Sequence, residues 1–158
     1  METSVIIIGL IIILIIAVPL YFVMQGNKIN QQQIDSLFAQ YSQNNRYHFQ
    51  VVASHQRKVL AMDTQNRGLL FIDFNLKEPF VVFQDLTTAK SCAVVTANPK
   101  GHANLIKKIE WIFFSKDGTA QEQGILFHDN DKQYIVPVYT QEQLTLAAQW
   151  QEVINKNL

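Results

Sequence analysis

Lys58-Val-Leu-Ala-Met-Asp63, Thr64-Gln-Asn-Arg67 and Gly68-Leu-Leu-Phe-Ile-Asp-Phe74 follow one another as a strand, a turn and a strand. The two apolar runs are short and β-rich, and the residues between them carry turn chemistry, so the stretch reads as a hairpin. The neighbouring segments have the same character. Tyr47 to Ser54 reads as a strand before the hairpin, and Phe80-Val-Val-Phe83 as one after it, behind Glu78-Pro79.

Further along, Leu86 to Thr96 runs into the loop Ala97-Asn-Pro-Lys-Gly101, where Pro99 and Gly101 stop a strand. Leu105 to Phe114 places Leu105, Ile109, Trp111 and Phe113 on one face, with Lys108 and Glu110 on the other. Lys116-Asp-Gly118 is a hairpin turn, Gln123 to Asp129 the returning strand, and Asp129-Asn-Asp131 turns into a further strand, Gln133 to Tyr139. About six to eight strands joined by short links require antiparallel pairing, because parallel neighbours need long crossovers.

Helical periodicity flanks the strands. Thr140-Gln-Glu-Gln143 has capping-box spacing and opens a helix striped by Ala147, Trp150, Val153 and Ile154. Asn30-Gln-Gln-Gln33 does the same upstream, where Ile34, Leu37, Phe38 and Tyr41 line one face of a helix ended by Ser42-Gln-Asn-Asn45. Ahead of that lies Val5 to Val23, an uncharged apolar run interrupted only by Gly9 and Pro19. A run of about 20 apolar residues matches a hydrocarbon core of about 30 Å, so the expectation is a transmembrane helix with Tyr21 and Phe22 at its boundary.

The segment preceding the run, Met-Glu-Thr-Ser, has no Lys or Arg, and no small-x-small site follows, features of an uncleaved anchor rather than a signal peptide. Lys28 and Arg46 follow the run whereas Glu2 precedes it, which favours a cytoplasmic C-terminal side at an inner (plasma) membrane. The expected organisation is an anchor over 1–25, an amphipathic juxtamembrane helix and linker over 26–46, and a β-domain with its closing helix over 47–158. The fold class is α+β.

Composition narrows the function classes. The chain has 158 residues, with 13 Lys+Arg against 13 Asp+Glu and no long run of either sign, so nothing electrostatic points to nucleic acid. Cys92 is the one cysteine, which excludes an intrachain disulfide framework and a Cys-x-x-Cys metal site. His48, His55, His102 and His128 lack metal-ligand spacing, and the isolated glycines form no phosphate-cradling loop. Ser54 and His55 are adjacent on a strand and point to opposite faces, so they make no nucleophile and base pair. Asp63, Asp73 and Asp85 stand at strand ends, where carboxylates cap turns. The expectation is a non-enzyme with no catalytic residue, metal, cofactor or evident small-molecule substrate.

A run of antiparallel strands closed by a C-terminal amphipathic helix resembles the pleckstrin-homology-like (PH-like) domains, particularly the bacterial ones. The residues that carry the resemblance are Lys58 to Asp63, Gly68 to Asp73, the strand pair around Trp111 and Ile125, and the final helix with Trp150. It implies a bent antiparallel sheet or barrel plugged at one end by that helix. In phosphoinositide-binding relatives of the fold the first hairpin carries basic residues. Here Arg57, Lys58 and Arg67 stand at that hairpin as candidate lipid-headgroup contacts, with Arg67 followed by Gly68 and Leu69.

Together these features predict a single-pass membrane-anchored interaction module that presents a PH-like domain to a protein. Its expected partners are the bilayer, through Val5 to Val23, and a protein or second copy, through Ile34, Leu37, Phe38 and Tyr41. Two other plans compete: a pilin-like or envelope-assembly subunit, and a membrane-bound hydrolase with a dispersed site.

Overall fold

The computed structural model describes residues 31–98, 106–115, 118–119, 124–130 and 137–158. Val5 to Val23 and the linker to Asn30 lie outside the described residues, and no described helix is long and apolar enough to cross a membrane. The element order is α1 (Gln31–Tyr41), β1 (Gln50–His55), β2 (Lys58–Asp63), β3 (Gly68–Asp73), β4 (Phe80–Asp85), β5 (Ala89–Ala97), β6 (Lys108–Ser115), β7 (Ile125–Asp129) and α2 (Pro137–Lys156). The fold class is α+β, with two antiparallel sheets: a four-stranded meander β1-β2-β3-β4 and a three-stranded meander β5-β6-β7.

The quoted hairpin is the centre of the first sheet. Lys58 pairs with Asp73 and Asp63 with Gly68, and all twelve residues of β2 and β3 are buried. Both faces of these strands are covered, which is why their sequence reads as unbroken apolar runs rather than as alternation. Leu60, Met62, Leu69 and Phe71 point into one core with Trp111, Phe113, Phe127 and the α2 residues Ala147, Trp150 and Ile154. Val59, Ala61, Leu70 and Ile72 point the other way, into a second core with Ile34, Tyr47, Phe49 and Phe74. Residues on both sides of the expected boundary at Tyr47 therefore share one hydrophobic cluster.

In the first core the Trp150 ring lies 6.2 Å from that of Trp111 and 5.8 Å from that of Phe127, and the Trp111 indole N–H donates to the Ala147 carbonyl at 3.0 Å. A buried indole N–H without a partner would be costly, and this bond also sets the height of α2 over β6. In the second core the Tyr47 ring packs against Gly68, where an added Cβ would stand 2.5 Å from Tyr47 Cδ1. The ring needs a glycine there.

The structure corrects three sequence expectations. Of the strand expected over Gln133 to Tyr139, residues 133–136 lie outside the described residues, and Pro137 to Tyr139 form the first turn of α2. Proline suits that position because its missing N–H would have no partner in a first turn. The spacing Thr140 to Gln143 falls one turn inside the helix and caps nothing. The first strand begins at Gln50 instead of Tyr47, because Tyr47 and Phe49 are used as plugs under α1.

Turn chemistry completes the frame. Asp63 accepts four hydrogen bonds, from the N–H groups of Gln65 (2.9 Å), Asn66 (3.0 Å) and His48 (2.7 Å) and from the Asn66 amide (2.8 Å). Burial pushes its carboxyl up, but those bonds outweigh it and hold the pKa at about 2. Asp73 likewise accepts from the Asn75 N–H, and Asp85 from the Thr87 N–H. All three aspartates are turn caps, as their positions at strand ends imply.

Candidate interaction site: the open edge of the first sheet

Each sheet ends in two edge strands, β1 and β4 in the first and β5 and β7 in the second, and an unpaired edge is a row of backbone donors and acceptors ready for another strand. The edge at β5 is closed from within the fold. Asn155 on α2 accepts from the Cys92 N–H at 2.7 Å and donates to the Cys92 carbonyl at 3.0 Å, and Gln151 accepts from the Val94 N–H at 3.2 Å. Two side-chain amides, one helical turn apart, act as a short substitute strand.

Among the described residues the edge at β1 has no such cover. Five of its six residues are exposed, and its outer backbone edge meets no partner among the described residues. Val51 pairs with Ala61 and Ala53 with Leu60, so Val52 is an extra residue, a β-bulge. Ala61 belongs to the second core and Leu60 to the first, which places Val51 on the outer face of the sheet and Ala53 on the inner one. Val51 is 44% exposed and Val52 37%. From Gln50 to His55 there is no Lys, Arg, Asp, Glu or Pro, so of the features that commonly guard an edge β1 has the bulge alone.

Helix α1 packs on the outer face of this sheet. Ile34 is 4% exposed and packed into the second core, and Leu37, Phe38 and Tyr41 pack against the same cluster while remaining half-buried. Phe38 stacks at a tilt on Phe49, ring centres 5.8 Å apart, and Phe49 leads directly into β1. The stripe expected to meet a partner is thus turned onto the outer face of the chain's own sheet, where Leu37, Phe38 and Tyr41 stay half-buried.

The basic trio is not a cluster. Lys58 is a correction: at 1% exposed it is sealed between the sheets, donating to Asp73 at 2.5 Å and to the Phe127 carbonyl at 3.0 Å, with its ammonium 5.0 Å from the Phe127 ring centre. It ties β2 and β3 to β7 and is out of reach of any headgroup. Burial lowers its pKa, with the Asp73 carboxylate opposing. Arg67 is half-buried and donates to the carbonyls of Leu158 and Ala89. Arg57 is exposed, in a two-residue turn with Gln56 whose φ values are 46° and 61°. Such turns usually use Asn-Gly. Here Gln56 is held from outside, by Gln143 at 2.6 Å and Asn75 at 2.8 Å.

Little else in the described residues offers chemistry. A cavity of about 20 Å³ is lined by Asp73, Leu76, Phe80, Leu126, Phe127, His128 and Asp129, space for a single water rather than a substrate. His128 Nε2 lies 2.8 Å from Asn130 Oδ1, and Asp129 lies 3.9 Å from Lys108. No group of three or more His, Cys, Asp or Glu among the described residues could hold a metal ion. Cys92 is buried, and burial pushes its thiol up to about 12, which leaves it inert as a nucleophile.

No protein-family model, curated protein or solved structure matches the chain. Two features of the site escape a reading of the sequence: the bulge at Val52, and the use of Asn155 and Gln151 to close β5. Val51-Val52 breaks strict alternation, which was the one available signal of the bulge; nothing marks the two amides.

Proposed function

We propose that this chain is a single-pass membrane-anchored, non-catalytic interaction module whose PH-like domain takes a protein partner along the free edge of β1. The observation that carries the reading is the contrast at the sheet edges: β5 is capped at Cys92 and Val94 by Asn155 and Gln151, whereas β1 carries no Lys, Arg, Asp or Glu and its outer edge meets no partner among the described residues. Strand addition to such an edge draws affinity from main-chain hydrogen bonds and specificity from flanking side chains, here Val51 and the open side of α1. Four strands, then three, then a long helix bearing a buried tryptophan support the PH-like reading. The uncharged run Val5 to Val23 supports the anchor, and Lys28 and Arg46 behind it support a cytoplasmic domain.

Photo-crosslinking of the full chain in cells tests the protein-binding part. A photoreactive residue at Val51 should give discrete protein adducts that one at Val95, 41% exposed on β5, does not give. Equal labelling from both positions would overturn the assignment. Alkaline extraction of membranes tests the anchor, with release of the chain as the contrary result, and protease accessibility in spheroplasts tests the side.

A further inference from the structure

We infer that the strand which completes β1 is β1 of a second copy, paired antiparallel, so that two four-stranded sheets fuse into one of eight strands. The inference rests on the proposal that β1 is a protein-binding edge at a membrane, and it names the partner.

Composition favours self-pairing. An antiparallel pair formed between Gln50 and Ser54 sets neutral residues against neutral residues, and Arg46 and Arg57 stand beyond the paired segment. Like charges placed opposite each other would oppose such a pair, and here there are none. The bulge leaves Val52 unpaired with β2. Around a dyad, Val51 and Val52 of both copies, exposed in the single chain, come together. The apolar area that one copy leaves open is covered by the same area of the other, as an isologous interface requires.

Symmetry carries the argument further. Antiparallel strands in one continuous sheet are related by a dyad perpendicular to that sheet, so the outer faces of both copies stay on the same side. Each outer face carries α1, and seven residues separate the end of the apolar run Val5 to Val23 from Gln31. Two anchored chains in one bilayer need a dyad along the membrane normal, with both anchors leaving on the same side. Pairing through β1 meets that condition. Anchoring in one plane also raises the effective concentration of one edge near another, so a modest interface suffices.

The test uses the full chain, purified and reconstituted into phosphatidylcholine/phosphatidylglycerol vesicles, with single cysteines introduced as Gln50→Cys, Val51→Cys, Val52→Cys or Ser54→Cys. The native Cys92 is buried and stays unreactive. Oxidative crosslinking should give adducts of twice the chain mass at one or more β1 positions near the dyad and little from Val95→Cys. Val52→Lys added to Ser54→Cys should lower the yield about tenfold, and mixing Val52→Lys with Val52→Glu copies should restore it. No dimer from any β1 position, or equal yield from Val95→Cys, overturns self-pairing. If vesicles give no dimer while cells give adducts at Val51 with a different protein, self-pairing fails and β1 as a protein site stands. A chain that crosslinks through β1 but is stripped from membranes by alkali keeps the dimer and loses the anchor.

Discussion

β1 and β5 are both edge strands of short antiparallel sheets built by the same chain, yet one is finished and the other is not. Along β5, α2 supplies the missing neighbour: Asn155 answers both backbone groups of Cys92, and Gln151 answers the N–H of Val94. Along β1, α1 lies against the outer face of the sheet, and no described residue covers the strand's rim. The difference lies in where each helix is held. Trp150 and the Trp111–Ala147 hydrogen bond draw α2 against β5 and β6, whereas Ile34 and Phe38 seat α1 on the face of the sheet, over the second core. A helix that packs beside an edge can close it; one that packs on a face cannot.

The contrast breaks most severely if α2 is loosened. Trp150→Ala removes a ring buried among Phe71, Trp111 and Phe127 and should cost about 3 to 5 kcal/mol in chemical denaturation. A loss under about 1 kcal/mol would mean that this ring does not hold the helix. Asn155→Ala strikes the closure itself, leaving the Cys92 N–H and carbonyl unanswered in a partly buried edge, and should cost about 1 to 3 kcal/mol. Amide exchange at Cys92 should then accelerate toward the rates of β1, and unchanged protection there would show that the amide is not the closure.

Acid sharpens the comparison from the other side. Asp63 binds the His48 N–H and so tethers the segment entering β1, and its pKa is held at about 2 against an ordinary value of 3.8. Because the folded value is the lower one, its stabilising contribution is complete above pH 3.8 and is lost as pH falls through about 2. Exchange at His48 and the start of β1 should rise over that window in the native chain but not in Asp63→Asn, where the dependence is already gone. The smallest effect concerns the free edge. Val52→Lys should shift stability by no more than about 0.5 kcal/mol, since the residue is exposed and lies outside the β1–β2 pairing. A larger loss would show that β1 leans on Val52 for its own fold.

Local chemistry and periodicity in the sequence determined the hairpin Lys58 to Phe74, the turn-capping aspartates, the alternation of Ile109, Trp111 and Phe113, and the existence of both described helices. Those features depend on neighbours within a few residues, so one chain read in order contains them. Only the tertiary structure decided that the strands divide into two sheets, that Lys58 is sealed between them, that α1 covers one face of the first sheet, and that Pro137 opens α2. Each depends on partners far away in sequence: Lys58 on Phe127, Tyr47 on Gly68, Cys92 on Asn155. A lysine at the start of a strand reads as a solvated end until a carbonyl 69 positions away is found above it. An edge reads as any other strand until the side chains that cover it, or fail to, are in place.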